Sequence, residues 1–349
     1  MKISKTLFGR LTDGQAVYLY TLQNDNGMEI NIMNYGATIT SIVAPDRNGH
    51  LDNVVCGFGK LEDYLNEAYL SGYPYFGCIV GRVGNRIRDG RFTLEGKEIQ
   101  LAVNNGPNHL HGGITGFDKR LWHGEGMVEE EKVGVLFSYF SPDMEENYPG
   151  NLNVSCLYSL NNDNELAIDY FGTTDQTTLI NLTNHTYFNL TGGKEKILDH
   201  ELALCANAMT EAVDLIPTGR IIPVDETPYD FTQFKKLGRD LAGLKEGYDL
   251  NFVLDNEDGN LVYAGCLRES GSGRQVEVFT TQPGIQLYTG YWIPELEIDG
   301  EKKFGSYSGV ALETQHYPDS VNQPSFPSII LEPGEKYMQT TVYRFGIME

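Results

Sequence analysis

The sequence predicts an all-β protein, a large antiparallel β-sandwich with few short helices, and three observations carry that expectation. Apolar residues recur mostly with a period of two, the period at which side chains alternate across a strand. The chain holds 39 glycines and 21 tyrosines, a composition suited to many short strands punctuated by turns. Segments with helical spacing are few and short.

Taken along the chain, Met28, Ile30 and Ile32 alternate with Glu29 and Asn31, as in a half-buried strand. Leu61 to Ala68 is the first helical candidate. Phe92-Thr93-Leu94 and Glu98-Ile99-Gln100-Leu101 flank the short reversal Glu95-Gly96-Lys97. Leu152, Val154, Cys156, Tyr158 and Leu160 form one face of a strand, and Leu166, Ile168 and Tyr170 continue the alternation. Between them lie Asn161-Asn162-Asp163-Asn164, residues that tolerate turn conformations, so the pair reads as a hairpin. Asp240 to Glu246 is the second helical candidate. Near the end, Tyr337, Gln339, Thr341 and Tyr343 share one face of a strand, opposite Met338, Thr340, Val342 and Arg344.

The length of 349 residues allows two domains at about 150 residues each. No Pro/Ser-rich linker, repeat or low-complexity tract marks a seam, and Glu129-Glu130-Glu131 is short enough for a solvated turn. The expectation is one domain over 1–349. With 40% apolar and 21% charged residues, the chain buries a core rather than remaining disordered. Its 26 basic and 48 acidic residues leave a net charge of −22, which repels phosphate backbones and anionic headgroups. Nucleic acid and membrane are therefore poor partners, and a neutral or cationic ligand is expected. Cys56, Cys78, Cys156, Cys205 and Cys266 stand singly, with no Cys-x-x-Cys pair, and read as reduced core residues. The basic opening from Met1 to Arg10 turns polar before an apolar stretch forms, and no later run is long enough for a membrane helix. The cytoplasm is the expected compartment.

Chemistry-bearing residues gather in three islands. Asn104-Asn105-Gly106-Pro107-Asn108-His109-Leu110-His111-Gly112-Gly113 places two histidines one residue apart in a glycine-rich loop. They are open to two readings, as metal ligands or as loop histidines held by local hydrogen bonds, and no third ligand stands nearby in sequence. Asn181-Leu182-Thr183-Asn184-His185-Thr186-Tyr187-Phe188-Asn189-Leu190 sets His185 inside a strand-like stretch, as a satisfied core residue or as a functional one. Its Asn-x-Thr triplets are chance matches to glycosylation acceptors. In Gly309-Val310-Ala311-Leu312-Glu313-Thr314-Gln315-His316-Tyr317-Pro318-Asp319, Glu313 follows an apolar strand segment. It is either an exposed strand end or a buried carboxylate whose pKa rises toward that of a useful base.

Smaller elements are Gly81-Arg82-Val83-Gly84-Asn85-Arg86-Ile87, Gly247-Tyr248-Asp249-Leu250-Asn251-Phe252 and Thr281 to Gly290. The first lacks the strand-turn-helix frame of a phosphate loop. Gly-x-Ser-x-Gly, the kinase set and His-Glu-x-x-His are absent from the sequence, which removes the commonest hydrolase, kinase and zinc-protease readings.

In this order, Asn85-Arg86-Ile87, Leu110-His111-Gly112-Gly113, Asn184-His185-Thr186-Tyr187-Phe188-Asn189-Leu190, Pro283-Gly284-Ile285-Gln286 and Leu312-Glu313-Thr314-Gln315 resemble the aldose 1-epimerase family, the galactose mutarotases. The likeness runs from Asn34-Tyr35-Gly36-Ala37 to Tyr343-Arg344-Phe345; Gly84, where relatives often carry alanine, is the visible departure. The resemblance implies a β-sandwich of the galactose mutarotase-like type with a sugar cleft, and the sequence leaves monomer or homodimer open. The resemblance also implies interconversion of the α and β anomers of free aldoses such as galactose and glucose, with no cofactor and no metal.

Residue by residue, the resemblance makes Glu313 the general base and His185 the general acid, with His111 assisting at the ring. Asn85, Arg86, Asp249 and Gln286 would hold sugar hydroxyls, and Trp122 or Tyr187 would either stack on the sugar or pack in the core. Opening a hemiacetal removes a proton from the anomeric hydroxyl while another arrives at the ring oxygen, so a base and an acid flanking the ring suit it. His185 is expected as imidazolium near neutrality, favoured by an ionised carboxylate beside it. Three other readings remain: a non-catalytic carbohydrate-binding protein, a glycosidase using Asp249 and Glu313, and an epimerase of phosphorylated hexoses.

Overall fold

The computed structural model describes residues 1–256, 258–298 and 301–348, so positions 257, 299, 300 and 349 of the expected 1–349 domain lie outside the described residues. The architecture is the antiparallel β assembly expected. A nine-stranded sheet runs in the order His123–Val128, Lys132–Ser141, Leu152–Asn161, Glu165–Thr174, Tyr337–Ile347, Arg274–Thr280, Val262–Arg268, Glu201–Leu204, Lys235–Lys236. A six-stranded sheet runs Tyr187–Phe188, Val310–Gln315, Gly284–Tyr288, Asp249–Val253, Ala208–Val213, Ile216–Pro223. The N-terminal quarter adds a five-stranded sheet from Lys2–Arg10 to Leu51–Asn53.

The alternating patterns become sheet faces. Leu152, Cys156, Tyr158, Leu160, Leu166 and Ile168 are buried in one apolar core with Met28, Ile30 and Ile32. The same core takes Leu312, Leu287, Ile285 and Phe252 from the six-stranded sheet and Val276, Val278, Tyr343 and Phe345 from the nine-stranded one. Tyr343 donates its hydroxyl across the seam to the Leu312 carbonyl at 3.1 Å. In the hairpin turn, Asn161 Oδ1 accepts from the Asp163 and Glu165 amides, both at 3.0 Å, and Asn164 takes a left-handed φ of 59°. That is the turn chemistry for which asparagine is suited. The reversal after Leu94 likewise uses left-handed Glu95 and Gly96.

The helical expectations hold only in part. Leu61 to Ala68 divides into Leu61–Tyr64 and Glu67–Gly72, because Asn66 is extended and its side chain caps the second segment by accepting from the Ala68 amide. Asp240 to Glu246 shrinks to a single 3₁₀ turn, Leu241–Gly243. A window that short does not offset the cost of helix nucleation, and its leucines pack against the core instead. Among the described residues, no helix is long and apolar enough to cross a membrane.

With Leu312, Leu287 and Phe252 committed to the core, strand alternation turns Glu313, Gln286 and Asn251 to the other face of the six-stranded sheet. These three lie side by side, Asn251 opposite Gln286 and Gln286 opposite Glu313. Asp249, Tyr288, Ala311 and Tyr187 form the next row on that face. The functional site is built on this polar face.

Candidate active site

A cleft of about 540 Å³ opens above the polar face, and Asn85, Arg86, His111, His185, Asp249 and Glu313 all line it. Three loops far apart in sequence close over the strand that carries Glu313. The segment before Tyr187 is held by main-chain bonds, His185 N donating to the Cys78 carbonyl and Gly77 N to the His185 carbonyl. His111 and Asn85 hold each other: the His111 amide donates to the Asn85 carbonyl, and the Asn85 amide donates to His111 Nδ1, both at 3.1 Å.

Four non-glycine residues of the cleft adopt left-handed backbone, Tyr75 (φ 59°), Asn85 (φ 60°), His111 (φ 52°) and Leu215 (φ 65°). Strained backbone of this kind is retained where the surroundings over-determine it, commonly at functional sites. Gly112 shows how tightly His111 is placed. Its φ is +83°, and a Cβ there would lie 1.8 Å from the Gly81 carbonyl oxygen. Gly112→Ala is therefore expected to cost roughly 3 kcal/mol of stability and to displace His111, seen as a lower urea midpoint together with lost turnover. Gly84, by contrast, would bring a Cβ only to 3.1 Å from Thr183 Cγ2, so alanine there asks for a shift of a few tenths of an ångström.

The two histidines of the first island part company. His109 is fully buried, its Nδ1 donating to the Ala102 carbonyl at 2.8 Å and its Nε2 accepting from the Tyr148 hydroxyl at 2.7 Å. It is the locally satisfied loop histidine. His111, turned by its left-handed backbone, faces the cleft. Because His111 Nδ1 accepts the Asn85 amide, the neutral ring carries its proton on Nε2 and serves as a donor. Burial, followed by His185 and Arg86, holds it well below the usual histidine range.

At the base of the cleft His185 Nε2 lies 3.6 Å from Glu313 Oε1, with both side chains almost wholly buried. Glu313 Oε2 and His185 Nδ1 have no protein hydrogen-bond partner. Burial, reinforced by Asp249 and opposed by Arg86, pushes the Glu313 carboxyl well above its ordinary value. Burial also lowers His185 to about 3. The expectation of a resting imidazolium is thereby corrected: desolvation outweighs the attraction of the neighbouring carboxylate, and the free pair favours its neutral form. The pair also sits side by side, too close to admit a sugar ring between its members.

His111, His185 and Glu313 offer donor atoms within 4.8 Å of one another, a grouping that the sequence spacing did not reveal. The His111 lone pair is already spent on the Asn85 amide.

Arg86 and Asp249 meet across the cleft at 3.6 Å, and Arg86 Nε donates to Asn105 Oδ1 at 3.1 Å. Gln286 lies beside Glu313 on the polar face beneath the cleft. It is 3% exposed and donates to Asp249 Oδ1 at 2.6 Å, holding that carboxylate. Trp122 belongs to the core, its indole donating to the Phe117 carbonyl at 3.1 Å, whereas Tyr187 lines the cleft. Asn181 and Asn184 of the glycosylation-like triplets are buried. Sequence reasoning missed Tyr75, Tyr288, Trp292 and Glu246, which also line the cleft. The sole sequence signal was the aromatic density of Tyr73-Pro74-Tyr75-Phe76.

The sequence model of the aldose 1-epimerase family matches residues 18–344. The chain is 44% identical to the galactose mutarotase of Rattus norvegicus over 99% of both chains. It is 33% identical to the aldose 1-epimerase of Escherichia coli, over 95% of this chain and 96% of that one. The crystal structure of galactose 1-epimerase from Lactobacillus acidophilus superimposes with a TM-score of 0.86 at 29% identity, covering 100% of this chain and 99% of that one. Motifs, sheet topology and cleft thus converge with these likenesses, and the chain belongs to the aldose 1-epimerase family, an isomerase family.

Proposed function

We propose that this enzyme interconverts the α and β anomers of free aldoses such as galactose and glucose, with Glu313 and His185 exchanging protons with the sugar. The observation that carries the reading is a buried carboxylate and a buried imidazole 3.6 Å apart at the base of a polar cleft. In a pyranose the anomeric hydroxyl and the ring oxygen share one carbon, so two neighbouring groups reach both from one side.

Between them the pair holds one proton. With that proton on His185 the pair is charge-separated; Glu313 takes the proton of the anomeric hydroxyl as His185 protonates the ring oxygen. The C1–O5 bond breaks, an open-chain aldehyde forms, and the pair becomes neutral. Burial disfavours the charge-separated form, so the site drives protons in the ring-opening direction. Rotation about C1–C2 presents the other face of the aldehyde, and reversal of both transfers closes the ring as the opposite anomer. His111 donates from Nε2 toward the ring, and Arg86 adds positive potential beside Glu313. Asn85, Arg86 and Asp249 bind hydroxyls, with Gln286 orienting Asp249.

The cleft wall carries Glu246, Asp249 and Glu313 against a single arginine, Arg86, which suits a neutral polyol and disfavours a phosphorylated hexose. Asp249 is held by Gln286 and Arg86, which argues against its serving as the second carboxylate of a glycosidase. One chain supplies every residue named, so a monomer suffices and a homodimer would carry two sites. Four of the free cysteines are buried and Cys205 is exposed, a pattern suited to a reducing cytoplasm. Polarimetry of freshly dissolved α-galactose or α-glucose tests the activity: rotation should relax faster in proportion to added protein. An unchanged relaxation would leave only sugar binding.

A further inference from the structure

His185 does not stand in the cleft as an isolated imidazole. The Tyr187 ring lies 4.8 Å from it between centroids at an interplanar angle of 29°, and Tyr75 lies 5.9 Å away at 20°. Both are near-parallel. The remaining rings around it, His111 at 5.3 Å and 80° and Tyr288 at 6.3 Å and 86°, meet it edge-on. The charged group facing it is Glu313, itself flanked by Asp249 and Arg86. Both near-parallel rings are anchored from elsewhere. Tyr187 pairs through its backbone with Ala311, two residues from Glu313 on the same strand. Tyr75, in its left-handed conformation, packs on Tyr73 at 4.7 Å, and Lys119 Nζ sits 4.3 Å from the Tyr73 centroid.

Resting on the acid role given to His185 above, we propose that Tyr75 and Tyr187 form an aromatic clamp that stabilises the imidazolium through their π faces and fixes the ring plane toward the substrate. The ring-opening step begins from the charge-separated pair, the form burial disfavours, and burial lowers His185 to about 3. A face of negative quadrupole beside a desolvated cation offsets that penalty without adding a formal charge. A carboxylate in the same place would instead lock the proton on the histidine. The two tyrosines are positioning residues: they act on the reaction through His185.

The test replaces Tyr187, and separately Tyr75, with phenylalanine and then with phenylalanines bearing one, two and three ring fluorines. This series nearly keeps shape while draining the π face. Phenylalanine itself should retain kcat within about threefold, and kcat should then fall stepwise to about tenfold below it for the trifluorinated ring, with KM nearly constant. A kcat that stays level across the fluorinated series at both positions would overturn the clamp and leave the rings as packing. Because the series is close to isosteric, a folding defect does not imitate a graded loss. His185→Asn separates this failure from failure of the underlying reading: near-native turnover in that variant removes His185 as the acid, whereas an inactive variant beside a level fluorine series removes the clamp alone.

Discussion

Glu313→Gln is expected to lower kcat about a thousandfold, the middle of the range for a positioned general base, while aldose binding changes little. The amide keeps the shape and the hydrogen-bonding reach of the carboxyl and loses the capacity to take a proton. A thousandfold corresponds to about 4 kcal/mol of transition-state stabilisation. The variant should also fold at least as well as the parent. Burial raises the Glu313 carboxyl above its ordinary 4.5, so the folded state prefers the protonated group. The wild-type chain consequently loses stability as pH rises through the raised value, and a neutral glutamine does not. Polarimetric kcat, sugar binding by calorimetry and melting temperatures at pH 5 and pH 7 check the three parts. Near-native turnover in a well-folded variant would mean that the base lies elsewhere.

His185→Asn should lower kcat about a hundredfold, a smaller loss because water entering the vacated space can protonate the ring oxygen. Its effect on pH-dependent stability has the opposite sign to that of Glu313. The folded His185 is depressed from 6.5 to about 3, so its contribution is present above the unfolded value and disappears as pH falls through that window. Asparagine has no such proton to take up. Urea midpoints measured from pH 7 down to pH 4 should therefore fall less steeply in the variant than in the wild type. The double variant Glu313→Gln with His185→Asn should be hardly slower than Glu313→Gln alone, because the two groups work on one proton relay and their losses do not add. A double variant slowed by the product of the single effects would show that the groups act independently.

The strands and their turns were legible because each is a local property. Leu152 to Tyr170 could be read as a hairpin from alternation and four turn-forming residues, and the cross-strand register follows from those alone. The helical segments were read less well, because Asn66 acts as a cap only once the chain on either side is placed. Among the site residues, Glu313, His185 and His111 stood out as reactive types in polar islands, yet the sequence left each open to a structural reading. Gln286 was read as holding sugar hydroxyls; it stands opposite Glu313 on the polar face and its amide is engaged with Asp249. That position is set by the register between Asp249–Val253 and Gly284–Tyr288.

By itself, then, the sequence determined the antiparallel class, the turn positions, the acidic character that suits a neutral ligand, and the residue types from which an acid and a base are drawn. Tertiary structure alone decided which of them meet and in what protonation state. Proton affinity depends on desolvation and on charges a few ångströms away, and His111, His185 and Glu313 acquire those neighbours only when loops and strands far apart in the chain are packed on one face of a sheet. The left-handed backbone at Tyr75 is of the same kind: no local preference of tyrosine favours it, and the surrounding contacts impose it.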